Sequence, residues 1–241
     1  MEFYRFLLAI YGLELFLLKM NLRQKHGDIL FLSQFTNILY KEGYMDLQIL
    51  EAVRKYAMGC ESASRYEHSL RVAETAEKMC LIYGLDTSSG YFVGLAHDMC
   101  KEMNPRLITS LAKRDGEPIS LLEQEKPSLL HGRAAAAKLK YDFNVEDQDI
   151  LDAIRFHTFG SPYMGPLAKI LYAADKIEPE RSQVSSDYYR ELFSMPLNDL
   201  VLYVAKENVD YLSMKGKYVA EITLQMISVL EGKSSIKLSS K

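Results

Sequence analysis

Apolar residues recur at threes and fours along almost the whole chain and seldom alternate with polar ones. A helix buries such a period on one face and a strand does not. The expectation is therefore an all-α fold in which no strand is required. With 241 residues the chain is long enough for one full core and an appendage. The spacing places the main domain at residues 46–232, with an apolar and basic extension at 1–45 and a loose tail at 233–241.

Several helices can be bounded. Asp46 is expected to cap a helix carrying Leu47, Leu50, Val53 and Tyr56 on one side. A longer helix runs from Ser64 to Tyr83 and closes at Gly84. The next, Thr87 to Glu102, holds the apolar stretch Tyr91–Ala96 directly before His97-Asp98. Further helices are expected at Leu129–Tyr141, from an Asn144 cap to His157, at Leu167–Ile177, at Leu197–Leu212 and at Lys217–Leu230.

Composition narrows the function classes. A net charge of -3 removes the main reason to propose nucleic-acid binding, which needs an excess of Lys and Arg on one surface. Cys60, Cys80 and Cys100 form no CxxC pair, so neither a disulfide framework nor a zinc knuckle is suggested, and a reducing, cytoplasmic setting fits. The first eighteen residues are apolar, but they fall short of the roughly 20 a span needs and carry Arg5 and Glu14. They are expected to form an amphipathic helix on the body, or to precede a true start at Met20 or Met45, and not to anchor in a membrane. No Gly-rich phosphate loop and no GxSxG elbow is present.

Four of the five histidines, His68, His97, His131 and His157, each fall at or near the inner face or end of a separate expected helix. Two carboxylates accompany them, Asp98 directly after His97 and Asp175 inside the apolar run Ile170–Ala174. An unpaired buried carboxylate is costly, and a cation would satisfy both. Imidazole nitrogen with carboxylate oxygen suits iron, manganese and zinc with open positions, while the lack of thiolates argues against a closed structural zinc site. Such an ion lowers the pKa of bound water, so that hydroxide is available near neutral pH to attack phosphorus. Lys101, three residues after Asp98, can share that helix end and hold a phosphate oxygen. Arg71, Arg133 and Arg181 lie near His68, His131 and Asp175 in sequence, as substrate-contact candidates. Spacing leaves open whether His131 and His157 complete a second metal position, contact phosphate or act as an acid.

The order His68, His97-Asp98, Asp175 resembles the H…HD…D signature of the HD superfamily of metal-dependent phosphohydrolases. The strings RYEHSLRVAETA, GLAHDMCKE, LLHG, DAIRFHTFG and KILYAADKIEPER are similar to the YqeK family of bacterial symmetrical bis(5'-nucleosyl)-tetraphosphatases, over residues 48–232 and most strongly over 65–181. The resemblance implies a helical bundle with a metal site between helices. It implies His68, His97, Asp98 and Asp175 as ligands of an iron-type centre, with manganese or cobalt as alternatives and one or two ions. His131 and His157 would face a second metal or the phosphates, Lys101 would aid catalysis, and Arg181 would lie near the nucleotide. The implied reaction is symmetrical cleavage of diadenosine tetraphosphate to two ADP, by a protein whose partner is a small nucleotide and which can pair as a homodimer. Phe159 and Lys176 depart from the family pattern, which puts substrate preference in question more than activity. Two readings compete: an HD phosphohydrolase acting on mononucleotides or a signalling nucleotide, and a non-enzymatic nucleotide-binding or scaffold protein using residues 1–44 to reach a partner.

Overall fold

The computed structural model describes residues 46–181 and 185–232, which lie in one of the chain's two compact units. The extension at 1–45 and the tail at 233–241 lie outside the described residues. No strand occurs among the described residues, as the period of the apolar residues requires. Nor is any described helix long and apolar enough to cross a membrane. Cys60, Cys80 and Cys100 are all free.

Helix α1 (Leu47–Cys60) starts at Asp46, whose side chain accepts the amide of Gln48 at 2.7 Å. Helix α2 (Ala63–Tyr83) buries His68, Val72, Ala76 and Met79 at threes and fours and ends at Gly84, which takes the left-handed region at φ 71°. Helix α3 (Thr87–Ala96) packs closely along α2, and Gly94 makes that approach possible. A Cβ there would fall on the Ala73 backbone, 2.6 Å from its nitrogen.

The expected helix over Thr87–Glu102 is shorter than its sequence suggests. The His97 ring donates from Nδ1 to the Gly94 carbonyl at 2.6 Å, and the backbone beyond turns back over three residues, as in Lys101 N–H to Asp98 O at 2.7 Å. His97 and Asp98 thus sit in a tight turn after α3 and not inside a helix. Three short helices went unexpected: α4 (Pro105–Ala112), α5 (Leu121–Glu125) and, later in the chain, α9 (Ser186–Leu192). A 3-10 turn at Pro127–Leu130 leads into α6 (His131–Asp142).

Asn144 does not cap the following helix. It adopts φ 55° in the connection, and Asp147 caps α7 (Gln148–Phe156) by accepting the amides of Asp149 and Ile150. Pro166 opens α8 (Pro166–Ile177), whose buried face of Ile170, Leu171, Tyr172, Ala173 and Ala174 makes it the centre of the bundle. It packs on α2, α3, α7 and α10 (Leu197–Met214). Helix α11 (Glu221–Leu230) lies on α10 and begins four residues later than expected, because residues 217–220 form a connection.

Candidate metal centre

Three histidines are placed by one local device. Each stands at a helix boundary, and its Nδ1 meets the carbonyl three residues earlier: His97 with Gly94 at 2.6 Å, His131 with Ser128 at 2.7 Å, His157 with Ile154 at 2.7 Å. A carbonyl only accepts, so each Nδ1 carries the proton and each Nε2 presents a lone pair. The fourth, His68 on α2, is held at Nδ1 by the buried Glu178 at 3.2 Å, and Glu178 is itself fixed by Arg71 Nε at 2.7 Å and the Glu180 amide at 2.9 Å. All four imidazoles therefore aim Nε2 into one space. A fixed outer partner on the far nitrogen is the usual support of a metal-ligating histidine.

Packing closes the cluster. The tight contact of α2 on α3 brings His68 and His97 to a ring separation of 5.3 Å, and α8 delivers Asp175 between them. Its Oδ1 lies 3.2 Å from His68 Nε2 and 3.8 Å from His97 Nε2. Both of those nitrogens are buried without a hydrogen-bond partner. On the other side Gly132 lets the start of α6 lie against the end of α7, since a Cβ there would stand 2.9 Å from the Ile154 carbonyl. That contact sets His131 Nε2 2.8 Å from His157 Nε2 and 2.9 Å from Asp98 Oδ1.

The donor atoms of His68, His97 and Asp175 lie within 4.8 Å of one another, as do those of His97, Asp98 and His157. Orphaned nitrogens aimed at carboxylates in a buried pocket fit a divalent cation, and nitrogen and oxygen donors without thiolate fit a first-row metal with open positions.

Charge is arranged to match. Burial would raise the Asp98 carboxyl, but its surroundings hold it well below the usual range, with the Arg65 guanidinium 2.8 Å from its Oδ2. Asp175 is likewise held well below it against the effect of burial, by the Lys176 ammonium. Burial pushes His97 down to about 4 and lowers His131 and His157, so these imidazoles stay neutral and available as ligands at pH 7.

The cluster opens into a cavity of about 1100 Å³ whose wall includes Arg65, Lys101, Lys126, Lys176 and Arg181. Lys101 Nζ stands 3.9 Å from Asp98 Oδ1 and 3.2 Å from His131 Nε2, and Arg181 donates to the Asp175 carbonyl at 2.7 Å. The other two arginines singled out in the sequence are not brought here. Arg71 is turned to Glu178 behind His68. Arg133 is paired with Asp115 at 2.7 and 2.8 Å and with Glu123 at 3.4 Å, tying the 113–123 segment to the start of α6. Neither Arg71 nor Arg133 lines the cavity.

Two residues were missed in the sequence. Arg65, three positions before His68, puts Nη1 2.8 Å from Asp98 Oδ2, and the same helical spacing that drew attention to Arg71 could have found it. Glu178 lies in the IEPER string, where its spacing alone gives no sign that it reaches His68. Phe159 and Lys176 both line the cavity, and Lys176 donates to the His157 carbonyl at 3.0 Å with its ammonium 3.9 Å above the Tyr172 ring.

Comparison with known proteins places this arrangement. The HD domain family model matches residues 65–180. A Bacillus subtilis protein named bis(5'-nucleosyl)-tetraphosphatase, symmetrical, is 32% identical over 170 residues, 69% of this chain and 91% of that protein. A Staphylococcus aureus protein of the same name is 31% identical over 181 residues, 74% and 93% of the two chains. Among solved structures, an HD superfamily hydrolase from Clostridium acetobutylicum, described as involved in NAD metabolism, superposes with a TM-score of 0.70 at 30% identity, covering 80% of this chain and all of that one.

Proposed function

The chain belongs to the HD-domain hydrolases, and on that footing we propose that it cleaves diadenosine tetraphosphate symmetrically, to two ADP, at a divalent metal held by His68, His97, Asp98 and Asp175. The observation that carries the metal assignment is the set of Nε2 atoms turned inward by fixed Nδ1 partners, two of them buried with no partner of their own. The substrate is supported by the names of relatives 31% and 32% identical, and by a cavity large enough for a dinucleotide beside the cluster. We take iron as the resident ion, with manganese or cobalt able to replace it, since the donor set admits several first-row metals.

When bound, the ion supplies Lewis acidity that makes water nucleophilic near neutral pH and offsets charge developing on phosphate. The rest is done by the chain's own residues. Lys101, at the cavity wall, is placed to hold a phosphate oxygen and steady its charge as the phosphorus is attacked. Arg65 keeps the Asp98 carboxylate in one orientation through its 2.8 Å contact and presents a second cation to the phosphates. His131 and His157 face the same space as ligands of a second ion or as phosphate contacts, and Arg181 and Lys176 add positive charge on the Asp175 side. ADP is a good leaving group and needs no protonation beyond what water supplies.

A substrate panel tests the reading. Metal-loaded protein is expected to release ADP as sole product from diadenosine tetraphosphate and to leave mononucleotides intact. Orthophosphate or pyrophosphate from mononucleotides, with the dinucleotide untouched, would instead support the mononucleotide or signalling-nucleotide reading.

A further inference from the structure

The cavity wall has two chemically different parts. One is the His–Asp cluster with its cations. The other is built by the C-terminal turn of α10 and the connection to α11, which contribute Tyr211, Met214 and Tyr218 to the wall. These side chains are 49%, 80% and 65% exposed, so three large apolar groups stand in solvent at the rim of a binding cavity. Such a rim is more than accidental surface, because exposed apolar groups gathered at a cavity mark contact sites.

The connection is also fixed. Lys217 N–H bonds the Leu212 carbonyl at 2.9 Å, Gly216 N–H bonds Ser213 at 3.0 Å, and Gly216 takes φ 61°. This is the paired closure of a Schellman cap, and it folds the chain back at the end of α10 so that Tyr218 lines the same cavity as Tyr211. Glu207 and Asp210 lie on this wall too, with Lys217 as the one cation among these described neighbours. Two carboxylates against one ammonium disfavour phosphate here relative to the cation-rich His–Asp cluster, and favour a neutral, flat, apolar group on this part of the wall.

We infer that Tyr211 and Tyr218 form a stacking shelf for the nucleobase at one end of the dinucleotide. The inference rests on the nucleotide reading proposed above and specifies where the base goes. Every base has a π-face, so the shelf gives affinity with little base preference, and loss of a stacking partner costs on the order of tenfold in binding. The capped helix end fixes the backbone that carries Tyr211 and leads into Tyr218, which limits the backbone ordering needed when the base arrives.

Calorimetric titration of manganese-loaded protein with ADP and, separately, inorganic pyrophosphate tests the shelf. In Tyr211→Ala and Tyr218→Ala the Kd for ADP is expected to rise roughly tenfold each, that for pyrophosphate to stay unchanged, and Tyr218→Phe to bind ADP like the wild type. Both rings are exposed, so folding should survive, and circular dichroism checks it. Unchanged ADP binding in both alanine variants would overturn the shelf while leaving the hydrolase reading intact. Parallel weakening of pyrophosphate would also overturn it, by showing that the tyrosines shape the whole site. If wild-type protein binds pyrophosphate but not ADP, the shelf and the nucleotide reading fall together.

Discussion

His131 and His157 face each other through Nε2 atoms 2.8 Å apart, and neither nitrogen carries a proton, because each ring has already committed its Nδ1 hydrogen to a backbone carbonyl. Two lone pairs at that distance repel, and the Lys101 ammonium 3.2 Å from His131 Nε2 and the Thr158 hydroxyl 3.4 Å from His157 Nε2 offset only part of that repulsion. The fold therefore sets aside stability at this point for a ligand. His157→Gln relieves the opposition, so the metal-free variant is expected to be no less stable than metal-free wild type. Its gain in Tm on adding manganese should be smaller. Scanning calorimetry of both proteins, with and without the ion, checks this.

Glu178 links Arg71 to His68 and is a positioning residue. Glu178→Ala leaves the His68 ring free to turn and Arg71 without its main partner. Metal affinity, measured by competition with a coloured chelator, is expected to fall about 10- to 100-fold. Glu178→Gln, which can still accept the Nδ1 proton, should recover much of it.

Arg133 does structural work in the ion-pair group with Asp115 and Glu123. Arg133→Met takes the bidentate partner from Asp115, which keeps only Arg155 at 3.8 Å and the Glu117 amide, and the ion pair from Glu123, which keeps Ser120; it is expected to cost on the order of 1 kcal/mol in urea unfolding. ADP release per folded molecule should be unchanged. A raised KM with unchanged stability would return Arg133 to the substrate.

Glu61 gives the protein a pH slope of its own. Burial pushes its carboxyl up to about 7, with one oxygen accepting from Ser69 Oγ at 3.0 Å and the other without a partner. The folded chain holds this proton more tightly than the unfolded chain, so the group's contribution is full below about 4.5 and is lost as pH rises through about 7. Glu61→Gln should remove that loss, and its advantage over wild type in chemical denaturation should grow from pH 5 to pH 8.

The sequence made much of this legible, and the remainder has physical causes. Long helices such as α2 and α8 show several turns of apolar period, whereas α4, α5 and α9 are too short to show one. Asp98 and Asp175 stood out because an apolar setting gives a carboxylate no other reason to be there. The arginines did not sort themselves. Arg65 and Arg71 flank His68 at equal spacing, and which one reaches the cavity is decided by how α2 lies on α3 and where Glu178 ends up. Nor does spacing show that His97 ends its helix, since that depends on its ring reaching the Gly94 carbonyl.

The most direct test of the metal centre is a joint titration of metal-free protein with manganese, following bound ion by paramagnetic resonance and ADP release from diadenosine tetraphosphate in the same samples. Turnover is expected to rise in step with occupancy in the wild type, and both are expected to be lost in Asp98→Ala and Asp175→Ala that remain folded by circular dichroism. Turnover in the absence of the ion, or full ion binding retained in both variants, would contradict the assignment of the His–Asp cluster as the metal site of this hydrolase.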